Sequence, residues 1–356
     1  MENISLIIPA YKPDEKLLTT LNDAKNAGFN DILVVDDGSG SEFEEIFKSV
    51  TELSFCTLLR HPKNKGKGAA LRTAFTYFLE NRKEGLGVIT ADADGQHLTK
   101  DILSVAEKMI ETNHIVLGCR DFTAPQVPPR SKFGNRCTIG VFRLFFGMKI
   151  SDTQTGLRAF PTSVLPDLIA IEGDRYEFET NMLFFMSRNS TPFEEVVIDT
   201  VYIDDNSSSH FRVIRDSLRI YGLIIKYLFS SVGAMLIDNL AFFLLKQFPF
   251  ITIAAIPQTF PAAFLARVIS SLVNYYVNAK VVFADVANKK TLVKYYILAA
   301  VQIAVSAAVV FLLEKLLFVN LAIISTVIKM IVDTLLFFIS FRIQHKWVFN
   351  SRKEEN

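Results

Sequence analysis

The chain has 356 residues, enough for two domains of ordinary size, and half of its residues are hydrophobic. Its mean hydropathy of +0.28 is high for a soluble protein. The formal net charge of +1 gives no overall field that would attract a nucleic acid. Charged residues are concentrated before about Tyr227 and long apolar runs dominate after it, so the sequence predicts a soluble N-terminal part and a membrane-embedded C-terminal part.

Short apolar runs alternate with helical spacing along the first part of the chain. Runs typical of strands buried on both faces occupy residues 4–8, 31–35, 55–59, 87–90 and 115–118. Apolar residues at helical spacing lie between them, at residues 13–27, 42–53, 68–79 and 100–111. This alternation indicates an α/β domain with a mostly parallel sheet, in which ligands bind at the carboxyl ends of the strands.

Polar side chains follow the ends of these predicted strands, at Tyr11, Asp36, Asp37, Asp92, Asp94 and Arg120. The two carboxylates of Asp92-Ala93-Asp94 can hold one hard cation, which in turn can neutralise a diphosphate. Acidic turns are also common on protein surfaces. A position directly after a buried strand favours the cation site, because a bound cation would remove the repulsion between clustered carboxylates.

A basic loop, residues 61–70, leads into a predicted helix. Gly66 and Gly68 would let the backbone approach a ligand, and a helix N-terminus favours anions. The loop lacks the spacing of a Walker A motif. A solvated basic loop is the alternative interpretation.

Three cysteines, Cys56, Cys119 and Cys137, are odd in number and lack the spacing of a metal site. We expect reduced, buried thiols in a cytosolic domain. The apolar run of residues 1–10 is short and ends at Pro9, so we expect a first strand there and no secretory signal peptide.

The C-terminal part contains four apolar segments of about 20 residues, the length that crosses a bilayer. They lie near residues 224–245, 255–277, 295–317 and 321–343. Basic residues precede the first, separate the second from the third and follow the fourth. By the positive-inside rule we expect a multi-pass membrane protein with both termini and the N-terminal domain in the cytosol. The expected location is a bacterial plasma membrane.

Several ordered segments carry a family resemblance: Ile-Ile-Pro-Ala-Tyr (7–11), Val-Val-Asp-Asp-Gly-Ser (34–39), Asn-Lys-Gly-Lys-Gly-Ala-Ala (64–70), Ala-Asp-Ala-Asp-Gly-Gln-His (91–97), Gly-Cys-Arg-Asp-Phe (118–122), Asp-Thr-Gln-Thr-Gly-Leu-Arg-Ala-Phe (152–160) and His-Phe-Arg (210–212). Residues 1–222 thereby resemble glycosyltransferase family 2, particularly the polyprenyl-phosphate branch that includes dolichol-phosphate mannose synthase. The resemblance implies a GT-A (Rossmann-like) fold, a nucleotide-sugar donor such as a UDP- or GDP-hexose, a divalent metal (Mg²⁺ or Mn²⁺) and inversion at the anomeric carbon.

The resemblance also implies roles for individual residues. The nucleotide would be held by Pro9, Tyr11, Glu15, Asp37 and Lys67. The diphosphate would lie among Asp92, Ala93, Asp94 and Gln96. Of these, Asp92, Asp94 and Gln96 would surround the metal, and Asp94 would be catalytic.

Arginines are implied for the phosphate groups. Arg212 would neutralise the donor phosphate, and the acceptor phosphate would be bound by Arg120 and Arg136, as catalytic residues, and by Arg130. For each arginine the alternative is a charge on the surface or facing the membrane.

The acceptor is indicated by an absent segment. Transfer to a sugar hydroxyl needs a base, and related transferases of that kind carry a Gln-x-x-Arg-Trp segment. The only tryptophan here is Trp347, far downstream. A phosphate acceptor is already an anion and needs cations instead of a base. Asp152 and Glu177 are the candidate bases if the acceptor is a hydroxyl, and carboxylates that pair with nearby arginines are their alternative interpretation.

Residues 132–149 interleave aromatic and aliphatic side chains with Arg136, Arg143 and Lys149. That pattern suits an amphipathic helix in the membrane interface, which would bring Arg136 near a lipid phosphate. An ordinary core-facing helix is the alternative.

Residues 223–356 resemble the GtrA-like family of four-helix membrane proteins. The resemblance is carried by Arg267, Asn274-Tyr275, Asn278, Val282-Phe283, Lys329, Asp333 and Gln344-His345-Lys346-Trp347-Val348-Phe349. Ionisable residues within spans are candidate functional residues, here Asp238, Arg267, Lys329 and Asp333. They would either contact a lipid-linked sugar or satisfy one another between helices.

Together these inferences predict metal-dependent, inverting transfer of a sugar from a nucleotide sugar to polyprenyl (undecaprenyl or dolichyl) phosphate on the cytosolic leaflet. One alternative is a transferase that extends a cell-surface polysaccharide through a hydroxyl acceptor. Another is a lipid-linked sugar flippase whose transferase domain is degenerate, which the intact acidic motifs count against. The sequence leaves the oligomeric state open, although related membrane transferases often form tetramers, so a homo-oligomer such as a tetramer is one alternative. The sequence does not indicate which sugar or base is used.

Overall fold

The structure is a computed structural model, and it describes residues 1, 3–123, 127, 129–199, 213–247, 259–283, 285–317 and 322–350. The chain divides into two compact units. The first comprises Met1–Arg143 with Met148–Asp216, and the second comprises Leu144–Gly147 with Ser217–Asn356. The domain boundary between residues 222 and 223 stays a prediction.

The first unit contains a seven-stranded sheet whose strands are β1 (Ile4–Ala10), β2 (Ile32–Asp36), β3 (Cys56–Arg60), β4 (Gly87–Thr90), β5 (Ile115–Arg120), β6 (Arg158–Pro161) and β7 (Phe193–Ile198). The strand order is β3-β2-β1-β4-β6-β5-β7. Only β6 runs antiparallel to its neighbours, and all other pairs are parallel. The prediction of an α/β domain with a mostly parallel sheet is confirmed.

The helices of this unit are α1 (Lys16–Asn26), α2 (Glu44–Glu52), α3 (Lys67–Asn81), α4 (Thr99–Thr112), α5 (Pro129–Val141), α6 (Leu165–Ile169) and α7 (Glu177–Asn189). Short 3-10 turns cover Ser41–Phe43 and Thr162–Val164, and a π turn, Phe142–Phe146, continues α5.

The core forms because the predicted strands are buried on both faces. Leu6, Ile8, Val34 and Ile89 are fully or almost fully buried on β1, β2 and β4. Each such side chain stabilises the fold by about 1.5–3 kcal/mol through removal of apolar surface from water. These central strands fix the edge at which Asp36 and the Asp92 turn emerge.

Strand β6 brings a distant segment to the same edge. It runs antiparallel, with Arg158 opposite Thr90 on one side and opposite Leu117 on the other. Thr90 is the last residue of β4, so residues 152–157 reach this edge just before β6 begins.

Two expectations are corrected. Cys137 is exposed, whereas Cys119 is buried and Cys56 is partly buried, although all three are free thiols. The helix expected over 132–149 ends at Phe146, before Gly147 with its φ of +67°. Phe142 stacks on Phe184 at 5.4 Å, whereas Phe133 is 71% exposed. The helix therefore combines a packed end with an exposed apolar side chain.

The second unit is helical, with α8 (Val213–Lys246), α9 (Thr259–Val277), α10 (Lys289–Leu316) and α11 (Ala322–Ile343). In the described part of the chain, two segments are long and apolar enough to cross a bilayer, Gly222–Leu245 and Lys289–Leu316. Helices α9 and α11 overlap the other two predicted spans. The number of passes stays a prediction.

Polar side chains join the helices of this unit. Asn278 accepts a hydrogen bond from Ser230 (2.7 Å) and donates to Gln344 (3.0 Å). Gln344 donates to the hydroxyls of Tyr227 and Ser340, both at 3.0 Å. Each such bond between membrane helices contributes about 0.6 kcal/mol. Three of the chain's helical segments are therefore held together by one network.

The ionisable residues of the predicted spans have identifiable neighbours. Asp238 pairs with Arg267 at 3.2 Å and accepts a hydrogen bond from Ser270 at 2.9 Å. Asp333 accepts one from Ser306 at 2.6 Å. The side chain of Lys329 lies outside the described residues.

Candidate active site

Three charged side chains meet at the carboxyl edge of the sheet. Lys67 Nζ lies 2.6 Å from Asp92 Oδ1 and 3.0 Å from Glu179 Oε1. Lys67 is the first residue of α3, Asp92 follows β4, and Glu179 is in the first turn of α7. We call these three residues the lysine–carboxylate cluster. It is largely buried, so its charges interact more strongly than they would in water.

The charges in this cluster stabilise one another. Burial alone would lower the pKa of the Lys67 ammonium, but the Asp92 and Glu179 carboxylates outweigh it and hold that pKa above its ordinary value. Burial would likewise raise the pKa of Asp92, but the charge of Lys67 and the hydrogen bond from His97 hold it well below its usual range. Lys67 and Asp92 are therefore both charged at neutral pH.

Asp94 lies two residues further along the same turn. Its Oδ1 accepts a hydrogen bond from the backbone N–H of Gln96 at 3.0 Å. Burial and then the negative charge of Asp92 raise the pKa of Asp94 above its ordinary value. Within the described ranges, no group of three or more His, Cys, Asp or Glu side chains is arranged to hold a metal ion. A cation bound by Asp92 and Asp94 would therefore need further ligands, such as water or the oxygens of a phosphate.

Gly156 seats the segment before β6 against Asp92. A Cβ at this position would lie 2.3 Å from Asp92 Oδ2. The Gly156 carbonyl accepts a hydrogen bond from Thr90 Oγ1 at 2.9 Å. Only a residue without a side chain leaves Asp92 in this position.

Arg158 is almost fully buried, with 1% of its surface exposed. Its Nε donates to the Thr155 carbonyl at 3.0 Å, and its Nη1 donates to the Glu179 carbonyl at 2.8 Å. Burial lowers the pKa of this guanidinium. Because Arg158 binds the backbone of Glu179, it links the start of β6 to α7.

The arginine at the end of β5 is paired with a buried carboxylate. Arg120 donates to Asp152 from Nε at 2.7 Å and from Nη2 at 3.1 Å. Asp152 is fully buried. This bidentate pair favours a carboxylate that holds an arginine over a general base.

Three further arginines were predicted to bind phosphate groups, and the structure describes the side chain of one of them. Arg136 is exposed on α5. Arg130 also belongs to α5, but its side chain lies outside the described residues. Arg212 lies outside the described residues altogether.

Asp37 organises the basic loop. Its carboxylate accepts hydrogen bonds from the backbone N–H groups of Lys65 (2.9 Å) and Gly66 (2.7 Å), and it lies 2.7 Å from His61 Nδ1. Asp37 itself is buried. Around this position, Tyr11 and Glu15 are exposed, and Pro9 is partly buried. Their contact with a nucleotide stays a prediction.

The two loop glycines have a packing role that differs from the expectation. A Cβ on Gly66 would lie 2.4 Å from the Asp174 carbonyl oxygen, and one on Gly68 would lie 2.5 Å from Phe178 Cβ. The backbone N–H of Ala69 donates to the same Asp174 carbonyl at 3.0 Å. The glycines thus admit the 173–178 segment, and part of the helix N-terminus is occupied by protein.

Sequence reasoning missed three residues of the site: Gly156, Arg158 and Glu179. The first two stand within the Asp-Thr-Gln-Thr-Gly-Leu-Arg segment that carried the family resemblance, so a signal was present. Glu177 was considered instead of Glu179. Two residues correspond to about 200° around a helix, so these two side chains leave α7 on opposite faces.

This sheet, with an acidic turn after β4 and a paired arginine at the end of β5, is the GT-A glycosyltransferase arrangement that the sequence resemblance implied. Residues 5–165 match the family described as Glycosyl transferase family 2, and residues 226–355 match the family described as GtrA/DPMS, transmembrane domain. The chain belongs to glycosyl transferase family 2. It is an enzyme of that family with a membrane domain.

Similar proteins include an uncharacterised protein of Methanocaldococcus jannaschii, 29% identical over 233 residues that span 64% of this chain and 93% of that protein. The UDP-N-acetylglucosamine–dolichyl-phosphate N-acetylglucosaminyltransferase of Methanococcus voltae is 31% identical over 222 residues, 56% of this chain and 86% of that enzyme. Among solved structures, mannosyl-3-phosphoglycerate synthase from Rubrobacter xylanophilus matches with 14% identity and a TM-score of 0.48, over 72% of this chain and 79% of that one.

Proposed function

We propose that this enzyme transfers a sugar from a nucleotide sugar to the phosphate of a polyprenol, such as dolichyl or undecaprenyl phosphate, on the cytosolic leaflet. The observation that carries this proposal is the lysine–carboxylate cluster at the carboxyl edge of a glycosyltransferase sheet in a chain with a membrane domain. The likeness to a transferase that acts on dolichyl phosphate supports the choice of acceptor.

The residues of the acidic turn fit a divalent cation. Asp92 and Asp94 offer two carboxylates on one turn, with Gln96 beside them, and Mg²⁺ typically binds one or two carboxylates together with substrate phosphates and water. The raised pKa of Asp94 reflects a cost of burial and repulsion that a cation would remove. When bound, Mg²⁺ or Mn²⁺ would neutralise the diphosphate that leaves with the nucleoside.

This chain's own residues would bind and orient the donor. Pro9, Tyr11, Glu15 and Asp37 would hold the nucleoside, and Ala93 would line the path to the diphosphate. We assign Lys67 to the diphosphate, because its ammonium lies beside Asp92. Arg212 would add a further positive charge.

On the acceptor side the arginines would offset the repulsion between two anions. Arg120 and Arg136, with Arg130, would bind the acceptor phosphate. One oxygen of that phosphate would form the new bond to the anomeric carbon, while the bond from this carbon to the donor diphosphate breaks and the nucleoside diphosphate leaves. Such a single displacement inverts the anomeric configuration, and it requires no base because the acceptor is already ionised.

The membrane domain would anchor this reaction at the surface where the acceptor phosphate lies. Four passes would place both termini and the catalytic unit in the cytosol, where nucleotide sugars are made. A homotetramer is part of the same proposal.

The test is transfer by the purified full chain in detergent. A panel of UDP- and GDP-sugars with Mg²⁺ or Mn²⁺ would be supplied with dolichyl phosphate, with undecaprenyl phosphate, or with an oligosaccharide. We expect a lipid-phosphate sugar from at least one donor, and none without the lipid phosphate. Transfer to the oligosaccharide alone would assign the enzyme to polysaccharide extension. Binding of a lipid-linked sugar without turnover of any donor would assign it to transport.

A further inference from the structure

The ammonium of Lys67 is paired with a carboxylate oxygen that a divalent cation would need as a ligand. Its Nζ is 2.6 Å from Asp92 Oδ1, a direct ion pair within a largely buried site. We propose that Lys67 is an internal counterion that competes with the divalent cation for Asp92 before the donor binds, and that Glu179 is the positioning residue that keeps the ammonium in the site afterwards. This inference rests on the proposed function.

Competition follows from charge at short range. A divalent cation on Asp92 would lie within a few ångströms of the Lys67 ammonium, and like charges at that distance repel by several kcal/mol in a partly buried site. The two cations therefore compete for Asp92 until the donor supplies further negative charge. The metal must displace the ammonium, which weakens metal binding to the enzyme alone.

The donor would remove this conflict. Its diphosphate brings anionic oxygens that can accept the ammonium, so Asp92 becomes free for the metal. Metal and nucleoside diphosphate would then each strengthen the binding of the other, and this coupling must be equal in both directions.

Glu179 is built to retain the ammonium during this exchange. Its Oε1 lies 3.0 Å from Lys67 Nζ, so the ammonium has a second carboxylate partner besides Asp92. The backbone of Glu179 is fixed by the bond from buried Arg158 to its carbonyl at 2.8 Å. When Lys67 leaves Asp92, Glu179 remains as its ion-pair partner. The ammonium then stays near the diphosphate, and Glu179 itself does not touch the reacting atoms.

The experiment measures binding to the full chain in detergent. Mn²⁺ binding is followed by the electron paramagnetic resonance signal of the free ion, without nucleotide. Binding of UDP and of GDP is then followed by calorimetry at saturating Mn²⁺. The variants are Lys67→Met, Glu179→Gln and the control Lys63→Met, which removes an exposed lysine of the same loop.

Without nucleotide we expect Lys67→Met to bind Mn²⁺ about tenfold more tightly than the wild type, because the competitor is gone. The control should bind Mn²⁺ as the wild type does. Equal Mn²⁺ affinity of the wild type and Lys67→Met would overturn the competition.

At saturating Mn²⁺ we expect both Lys67→Met and Glu179→Gln to bind the nucleoside diphosphate several-fold more weakly. The sign for Glu179→Gln is diagnostic, because removing a negative charge beside an anion would by itself strengthen binding. Unchanged or tighter nucleotide binding by Glu179→Gln would overturn the positioning role. If the wild type bound neither Mn²⁺ nor either nucleotide, the proposed function itself would fail instead.

Discussion

Gly156 admits no side chain unless Asp92 moves. A methyl group there would meet Asp92 Oδ2 at 2.3 Å, so Gly156→Ala must push the carboxylate away. We expect transfer activity to fall by about 100-fold, the order of loss that a 1 Å misplacement causes. Activity is measured with saturating donor and acceptor. Gly140→Ala, where a methyl group meets nothing within 4 Å, is the control. A folded Gly156→Ala enzyme with wild-type turnover would refute the role given to this contact.

Asp94 carries a stability cost in the folded protein. Its pKa is raised by burial and by Asp92, so above that pKa the ionised carboxylate destabilises the folded state relative to the unfolded chain. We expect Asp94→Asn to abolish transfer and to raise the melting temperature by a few degrees at neutral pH, equivalent to about 1 kcal/mol. Below the ordinary pKa of an aspartate the gain should vanish, because Asp94 is then protonated in both states.

Thermal unfolding in detergent at neutral and acid pH measures the effect. Asp121→Asn is the matched control, because hydrogen bonds from Thr123 lower the pKa of Asp121. Its ionised form is thus favoured in the folded state, and the substitution should bring no gain. Asp94→Asn with full activity would remove Asp94 from the metal site.

Site residues could be predicted from the sequence where they adjoin their own strand, and not where they reach the site from a distant segment. The turn at Asp92 and the acidic end of β2 could be predicted, because each polar residue directly follows its own buried strand. Glu179 could not, since it lies 112 residues from Lys67 in sequence and the contact depends on how α7 packs. Arg158 reaches the edge only because β6 runs antiparallel, which its four residues do not indicate.

At the scale of elements, the N-terminus of α3 packs closely against the segment that contains Asp174. Gly66 has a φ of +105°, and a Cβ there would lie 2.4 Å from the Asp174 carbonyl. Gly66→Ala therefore suffers both backbone strain, about 1–2 kcal/mol, and a clash of about 1–3 kcal/mol. Because Lys67 is the next residue, we expect transfer to fall with stability.

Gly40→Ala separates the two causes. Gly40 has a φ of +95°, but a methyl group there meets nothing within 4 Å. We expect this variant to lose only the strain energy in thermal unfolding and to keep its transfer activity. If both alanine variants lost stability and activity equally, packing against residue 174 would not matter.

Element boundaries were predictable where hydrophobic periodicity is strong. The first five strands and the four helices between them were expected within about three residues of their observed ends. The helix over 132–149 was predicted three residues too far along the chain, because the observed helix with its π turn begins at Pro129 and Gly147 leaves the helical region of the backbone. Strands β6 and β7 have no alternating signal of their own, and their pairing with β5 is decided by long-range packing.

At the scale of the whole molecule, the second unit contains an ion pair that either stabilises the helices or binds the lipid substrate. Asp238 and Arg267 are 3.2 Å apart, and the Arg267 side chain is 75% exposed within its unit. Removing one partner leaves an unpaired charge in a predicted span, which costs about 3 kcal/mol of stability or less. Arg267→Leu should therefore lower the yield of folded protein and its melting temperature.

The double variant Asp238→Asn/Arg267→Leu removes both charges and should restore the yield. If the pair only satisfies its own charges, the double variant transfers sugar to lipid phosphate at the wild-type rate, which is the outcome we expect. A folded double variant with normal donor hydrolysis but no transfer to lipid would instead assign the pair to the lipid substrate. The comparison works because donor hydrolysis requires only the donor site of the first unit, whereas transfer also requires the lipid to be bound.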